Sequence, residues 1–245
     1  PDFFGRTRHM LFISLLVLVF LFSAQFVIPE RVVLAFLFPS ATLGMLIAVG
    51  LSAQLGLVST TLFVIFVAII SNGRVDVTMY HLAGPIVAIL ALGKGERVNS
   101  FLLAGMATAA ANAAVILVFR IDDPAIDMLG LGTLLGASIA NGAISGALTL
   151  MGLFLLGYLF DITTSLQLVE LSRPNHPLLV GMMRAAPGTY QHSLHVANLA
   201  EQASQRIGAN TMLVRVGALF HDIGKTRHPE YFVENQIKGI NPHDQ

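Results

Sequence analysis

Cysteine is absent from these 245 residues. Without thiols there is no disulfide framework and no thiolate metal site, so any metal must be held by nitrogen and oxygen ligands. Charge is scarce as well. Asp, Glu, Lys and Arg make up 11% of the chain, and 14 basic residues balance 14 acidic ones. Soluble domains carry about 25% charged residues. A net charge of zero offers no surface for a nucleic-acid polymer. What fills the space is apolar: 55% of the residues are hydrophobic, which makes the lipid bilayer the expected solvent for much of the chain.

The apolar residues come in runs, and a spanning helix needs roughly 20 of them. After a basic lead-in with Arg6, Arg8 and His9, the runs cover Met10 to Ile28, Val32 to Leu51, Gln54 to Ile70, Tyr80 to Leu92, Val98 to Phe119 and Leu129 to Phe160. Pro39 lies inside the second run, where a kink rather than a break is expected. The fourth is short and contains Gly84-Pro85. The sixth is too long for one untilted helix and reads as one tilted helix or two short ones. About six spans result. An even number puts both ends on one side. Arg6, Arg8, Lys94, Arg97 and Arg173 then fall on that side, against Arg31, Arg74 and Arg120 on the other, so it is expected to be the cytoplasmic face of the cell membrane.

No run has a charged residue near its middle, which argues against an ion-coupled transporter. Asn112 and Asn141 are polar at membrane depth and suit interhelical hydrogen bonds. The Gly132-xxx-Gly136 and Gly142-xxx-Gly146 spacings suit close packing within the bundle, with a homodimer seam as the alternative. The expected fold is all-α. A polytopic helix bundle over residues 1–162 is followed by a connecting segment, 163–186, and a helical module over residues 187–245.

That last module carries the chemistry. Phe220-His221-Asp222-Ile223-Gly224-Lys225 sets an imidazole beside a carboxylate at the end of the apolar stretch Val214 to Phe220. Gly224 fits a helix stop. Imidazole with carboxylate suits a borderline or hard divalent cation such as manganese or iron. Upstream, Pro187-Gly188-Thr189-Tyr190-Gln191-His192 opens a helix that runs to about Arg206, with Thr189 as the expected N-cap. His192 precedes His221 by 29 residues. That separation allows a helix, a turn and a second helix packed back on the first. His195 shares a helix face with His192, and its expected role is packing or hydrogen bonding. Asn235 reads equally as a nucleotide contact or as a helix cap.

The segments PGTYQHSLHVANLAEQA, RVGALFHDIGK and PEYFVENQIKGINPHD resemble the start of a His-Asp (HD) superfamily phosphohydrolase domain. With the apolar region before them, they resemble the multi-pass membrane HD phosphodiesterases of bacteria that hydrolyse cyclic di-AMP. The resemblance implies a site for two divalent metal ions, Mn or Fe. His192 and His221 would be ligands, and Asp222 would be the carboxylate shared between the ions. Lys225 would join Asp222 in the catalytic set and, with Asn235, face the substrate. The implied substrate is a cyclic dinucleotide, cyclic di-AMP giving linear pApA.

The family pattern continues with further histidines and a last aspartate that this sequence does not contain. The chain also starts at Pro1 and stops at Gln245 inside the motif-rich stretch. It therefore reads as a piece of a longer enzyme, with little or no hydrolase activity by itself. An HD phosphohydrolase acting on another nucleotide, and a membrane receptor or transporter with a non-catalytic HD module, remain the competing readings. His243-Asp244 belongs to the NPHD stretch, and a metal role is not assigned to it.

Overall fold

The computed structural model describes residues 7–121, 127–160 and 163–236. Their regular elements are all helices, with no strand among the described residues. They divide into two compact units, Pro1–Thr164 and Ser165–Gln245.

The first unit holds α1 (Thr7–Val27), α2 (Val33–Leu37), α3 (Ser40–Gly50), α4 (Ala53–Ile70), α5 (Val75–Leu92), α6 (Val98–Arg120) and α7 (Met128–Phe160). Taken with α2 and α3 as one, six segments among the described residues are long and apolar enough to cross a bilayer. α7 is a single 33-residue helix. At 1.5 Å per residue it is about 50 Å long, well beyond a hydrocarbon core of about 30 Å.

Two expectations about these spans need correction. The second span is broken rather than kinked. Pro39 has no N–H to donate and forces extended backbone on the residue before it. Phe38 is indeed extended, and α2 ends at Leu37. The carbonyls freed by the break find side chains instead. Asn141 Nδ2 donates to Phe36 O at 3.0 Å and to Phe38 O at 2.7 Å. Tyr80 Oη donates to Phe36 O at 2.6 Å. His81 lies between Ala35 O at 3.0 Å and Ser40 Oγ at 2.7 Å. In hydrocarbon there is no water to take over this role.

The fourth span, in turn, is longer than the run Tyr80 to Leu92. Val75–Met79 opens it despite Asp76, because that carboxylate is paired with Arg74 at 3.0 Å and with Arg120 at 2.5 Å. Pro85 stays inside this helix.

The small residues pack as bundle spacers where α6 meets α7. A Cβ on Gly142 would strike the Gly105 carbonyl, and one on Gly146 the Phe101 carbonyl. Gly132 and Gly136 meet nothing within 4 Å. Asn112 Nδ2 donates to Asn141 Oδ1 at 3.4 Å, linking α6 to α7.

The second unit holds α8 (Ser165–Leu171), α9 (Pro177–Ala185), α10 (Pro187–Arg206) and α11 (Thr211–Phe220), then three short 3-10 turns ending at Asn235. α9 packs on α10 and α8 on α11, so the stretch read as a connector is largely part of this unit. Its core is small: Leu179, Met182, Ala197 and Leu219, flanked by Tyr190, Leu194 and Phe220.

Candidate metal centre

α10 and α11 are antiparallel neighbours joined by four residues, with Gly208 at φ +68° making the turn. Asn210 caps α11, its side chain accepting the Leu213 N–H at 3.1 Å. Arg215 on α11 donates to Asn198 on α10 at 3.1 Å and pairs with Glu201. This clasp brings the start of α10 and the end of α11 to the same end of the module. His192 is in the second turn of α10, and His221 directly follows α11.

The result is a convergent group. One ligand atom from each of His192, His221 and Asp222 lies within 4.8 Å of the others. The two imidazole ring centres are 5.7 Å apart. His221 Nδ1 is 2.8 Å from the Ala218 carbonyl, which can only accept, so in a neutral ring this nitrogen carries the proton. Nε2 is then a bare lone pair, and it faces Asp222 Oδ2 at 3.3 Å. Two acceptors this close suit a cation between them. Adjacent ligands on an octahedral cation with bonds of about 2.1 Å sit about 3 Å apart. The backbone carbonyl that fixes the tautomer is the outer support usual behind a metal-binding histidine. The donor set therefore fits a borderline or hard divalent cation.

Lys225 is already engaged. Its Nζ is 2.9 Å from Asp222 Oδ2 and 2.8 Å from Glu234 Oε1, and it sits 4.8 Å from the centre of the Phe232 ring. The Glu234 hydrogen bond, followed by the Asp222 one, pushes the Lys225 ammonium above its ordinary value. The Lys225 hydrogen bond likewise holds the Glu234 carboxyl below its own.

Two local expectations change. Gly224 does not stop the helix: α11 ends at Phe220, and the chain continues through Gly224 in a 3-10 turn, Ile223–Arg227. Thr189 is not the N-cap. Pro187 with its fixed φ takes the start of α10, and Thr189 lies inside the first turn. The capping comes from a distance instead: Asn235 Oδ1 accepts the N–H of Gly188 at 3.0 Å and of Thr189 at 3.1 Å. Asn235, with two readings in the sequence, therefore spends its amide oxygen on α10.

His195 is exposed on the same helix and does not join the group. His228 pairs with Glu230 at 3.5 Å. His243 and Asp244 lie outside the described residues. Glu234 was missed. Its only signal is an acid nine residues beyond Lys225, in a turn-rich stretch.

Known proteins agree with this organisation. The family described as "7TM receptor with intracellular HD hydrolase" matches residues 1–164, and the HD domain matches residues 189–244. A Listeria monocytogenes protein named cyclic-di-AMP phosphodiesterase PgpH is 36% identical over 249 residues, covering 95% of this chain and 33% of that protein. Its Bacillus subtilis namesake is 37% identical over 221 residues, covering 86% and 31%. The crystal structure of the HD domain of the Listeria protein is similar at 66% identity over 29% of this chain and 34% of its own, with a TM-score of 0.28. The chain thus spans about a third of the length of the curated relatives it matches.

Proposed function

This chain belongs to the family of 7TM receptors with an intracellular HD hydrolase, and we propose that it contributes the membrane region and the first metal ligands of a metal-dependent phosphodiesterase. The observation that carries this reading is the convergence of His192, His221 and Asp222.

The proposed cofactors are two divalent cations, manganese or iron. When bound, they would supply Lewis-acid charge for a phosphate oxygen and lower the pKa of water at the site. The chain's own residues set the stage for this. Ala218 orients the His221 ring through Nδ1, leaving Nε2 to bind. Asp222 offers a carboxylate between His221 and Lys225. Lys225 places an ammonium where a non-bridging phosphate oxygen would arrive. Beside it lies an open depression of about 470 Å³, lined by Gly224, His228, Glu230, Tyr231 and Phe232. Its aromatic rings suit a nucleobase.

Cyclic di-AMP, hydrolysed to linear pApA, is the proposed substrate, because two relatives covering most of the chain are named for it. A messenger made in the cytoplasm supports an HD module on that side. The membrane bundle then acts as anchor and sensor. The open face at Gly132 and Gly136 suits a homodimer seam.

The test is hydrolysis of cyclic di-AMP by the complete gene product in Mn²⁺, followed by chromatography of the product. Linear pApA should form, and His221→Ala should abolish its formation. Hydrolysis unaffected by that change would refute the reading. Among the described residues three ligands converge, too few for two cations, and the 245-residue chain should show little turnover.

A further inference from the structure

We propose that Glu234 and Asn235 are positioning residues that set His192 against Asp222; this rests on reading His192, His221 and Asp222 as a metal centre. The two ligand-bearing elements are separate in sequence, and their mutual placement to within a fraction of an ångström decides whether one cation can touch both. The link between them runs through the turn at residues 233–235.

On the α10 side, Asn235 Oδ1 takes the N–H groups of Gly188 and Thr189. These donors have no partner within the helix, and the Ala186 at the cap position supplies no side-chain bond. Gly188 and Thr189 lie four and three residues before His192, so the clasped peptide units sit one turn below His192 on its own face. Asn235 Nδ2 also donates to Thr189 Oγ1 at 2.8 Å, and that hydroxyl donates to Glu234 Oε1 at 3.1 Å. Thr189 is fully buried.

The approach is close enough to depend on glycine. A Cβ on Gly188 would collide with the Glu234 carbonyl, a backbone atom that cannot swing away. This gives the PGT segment a reason for its glycine that does not involve substrate.

On the Asp222 side, Glu234 Oε1 also takes Lys225 Nζ at 2.8 Å, and Lys225 holds Asp222 Oδ2 at 2.9 Å. The ammonium is thus shared between two carboxylates. Without Glu234 it would belong to Asp222 alone and would compete with a cation for the same oxygen. The turn therefore does two things: it fixes the height of His192, and it moderates the hold of Lys225 on Asp222.

The test is Mn²⁺ binding to this 245-residue chain in detergent, read from the free-Mn²⁺ electron paramagnetic resonance signal, with thermal unfolding measured alongside. His192→Ala should eliminate binding. Asn235→Ala, Gly188→Ala and Glu234→Gln should each weaken it about 10- to 100-fold, as removal of an outer-shell partner does. Asn235→Asp, which keeps the accepting oxygen, should recover most of the loss.

A merely structural turn would lower the unfolding temperature and leave the Mn²⁺ affinity of the folded protein unchanged. If His192→Ala loses binding while Glu234→Gln and Asn235→Ala bind like wild type, the positioning role is wrong and the centre stands. If His192→Ala binds like wild type, the centre is wrong and the positioning role falls with it. Should Asn235→Ala fail to fold, Glu234→Gln and Gly188→Ala decide.

Discussion

Up to Thr164, polar side chains share the interior with an apolar core, and large apolar side chains also cover the outside. His81, Asn112 and Asn141 are at most 1% exposed, while Phe22, Ile69 and Val118 are 70% exposed or more. From Ser165 onward the polar groups of the candidate site lie on the surface instead. Leu179, Met182, Ala197 and Leu219 make the core, and His192 and His221 are exposed. The two units are built from the same kind of element, the helix, for two different solvents. In the first, a buried hydrogen bond is obligatory, because the alternative partner is hydrocarbon. In the second, water can replace most exposed bonds, so losing one costs less.

The sharpest way to break this comparison is at the closest helix contact. Gly142→Leu forces a side chain onto the Gly105 carbonyl. It should cost about 3 kcal/mol, the upper part of the usual range for overpacking. Unfolding in detergent followed by circular dichroism measures it. Asn141→Ala comes next. It leaves the Phe36 carbonyl with Tyr80 alone and strips the Phe38 carbonyl of its side-chain donor, for an expected loss of about 2 kcal/mol. Asn198→Ala removes an exposed acceptor of Arg215 in the other unit and should change stability by less than about 0.5 kcal/mol. Equal effects at Asn141 and Asn198 would erase the distinction between the two solvents.

The smallest effect is electrostatic. Lys225 holds the Glu234 carboxyl below its ordinary value of 4.5. A depressed carboxyl stabilises the fold above its unfolded pKa and loses that contribution as pH falls through the folded one. Unfolding temperature should therefore drop on acidification below about pH 4.5 in wild type, and less steeply in Glu234→Gln. Identical slopes would show that the Lys225–Glu234 pair adds nothing.

Much of this was readable in the residues themselves. The apolar runs marked the spans, and the spacing of His192 and His221 matched an antiparallel helix pair. Local signals failed where the deciding partner is distant in sequence. Pro39 alone does not say whether a span kinks or breaks. Asn141, over a hundred residues later, together with Tyr80 and His81, makes the break affordable by binding the freed carbonyls. Gly224 looked like a stop signal, but the chain simply narrows into a 3-10 turn there. The start of α5 fell outside the apolar run because nothing local shows that Arg120, 44 residues away, pairs with Asp76. Glu234 carries no local mark of its role. It matters because the fold brings it to Thr189 and Lys225 together.

We propose that His192, His221 and Asp222 hold one divalent cation between them. Pulsed electron paramagnetic resonance of the Mn²⁺-loaded chain would read this through nitrogen couplings. Modulation from two imidazole nitrogens is expected, reduced to one by either His192→Ala or His221→Ala. Bound manganese showing no nitrogen coupling, or couplings that survive both substitutions, would contradict it.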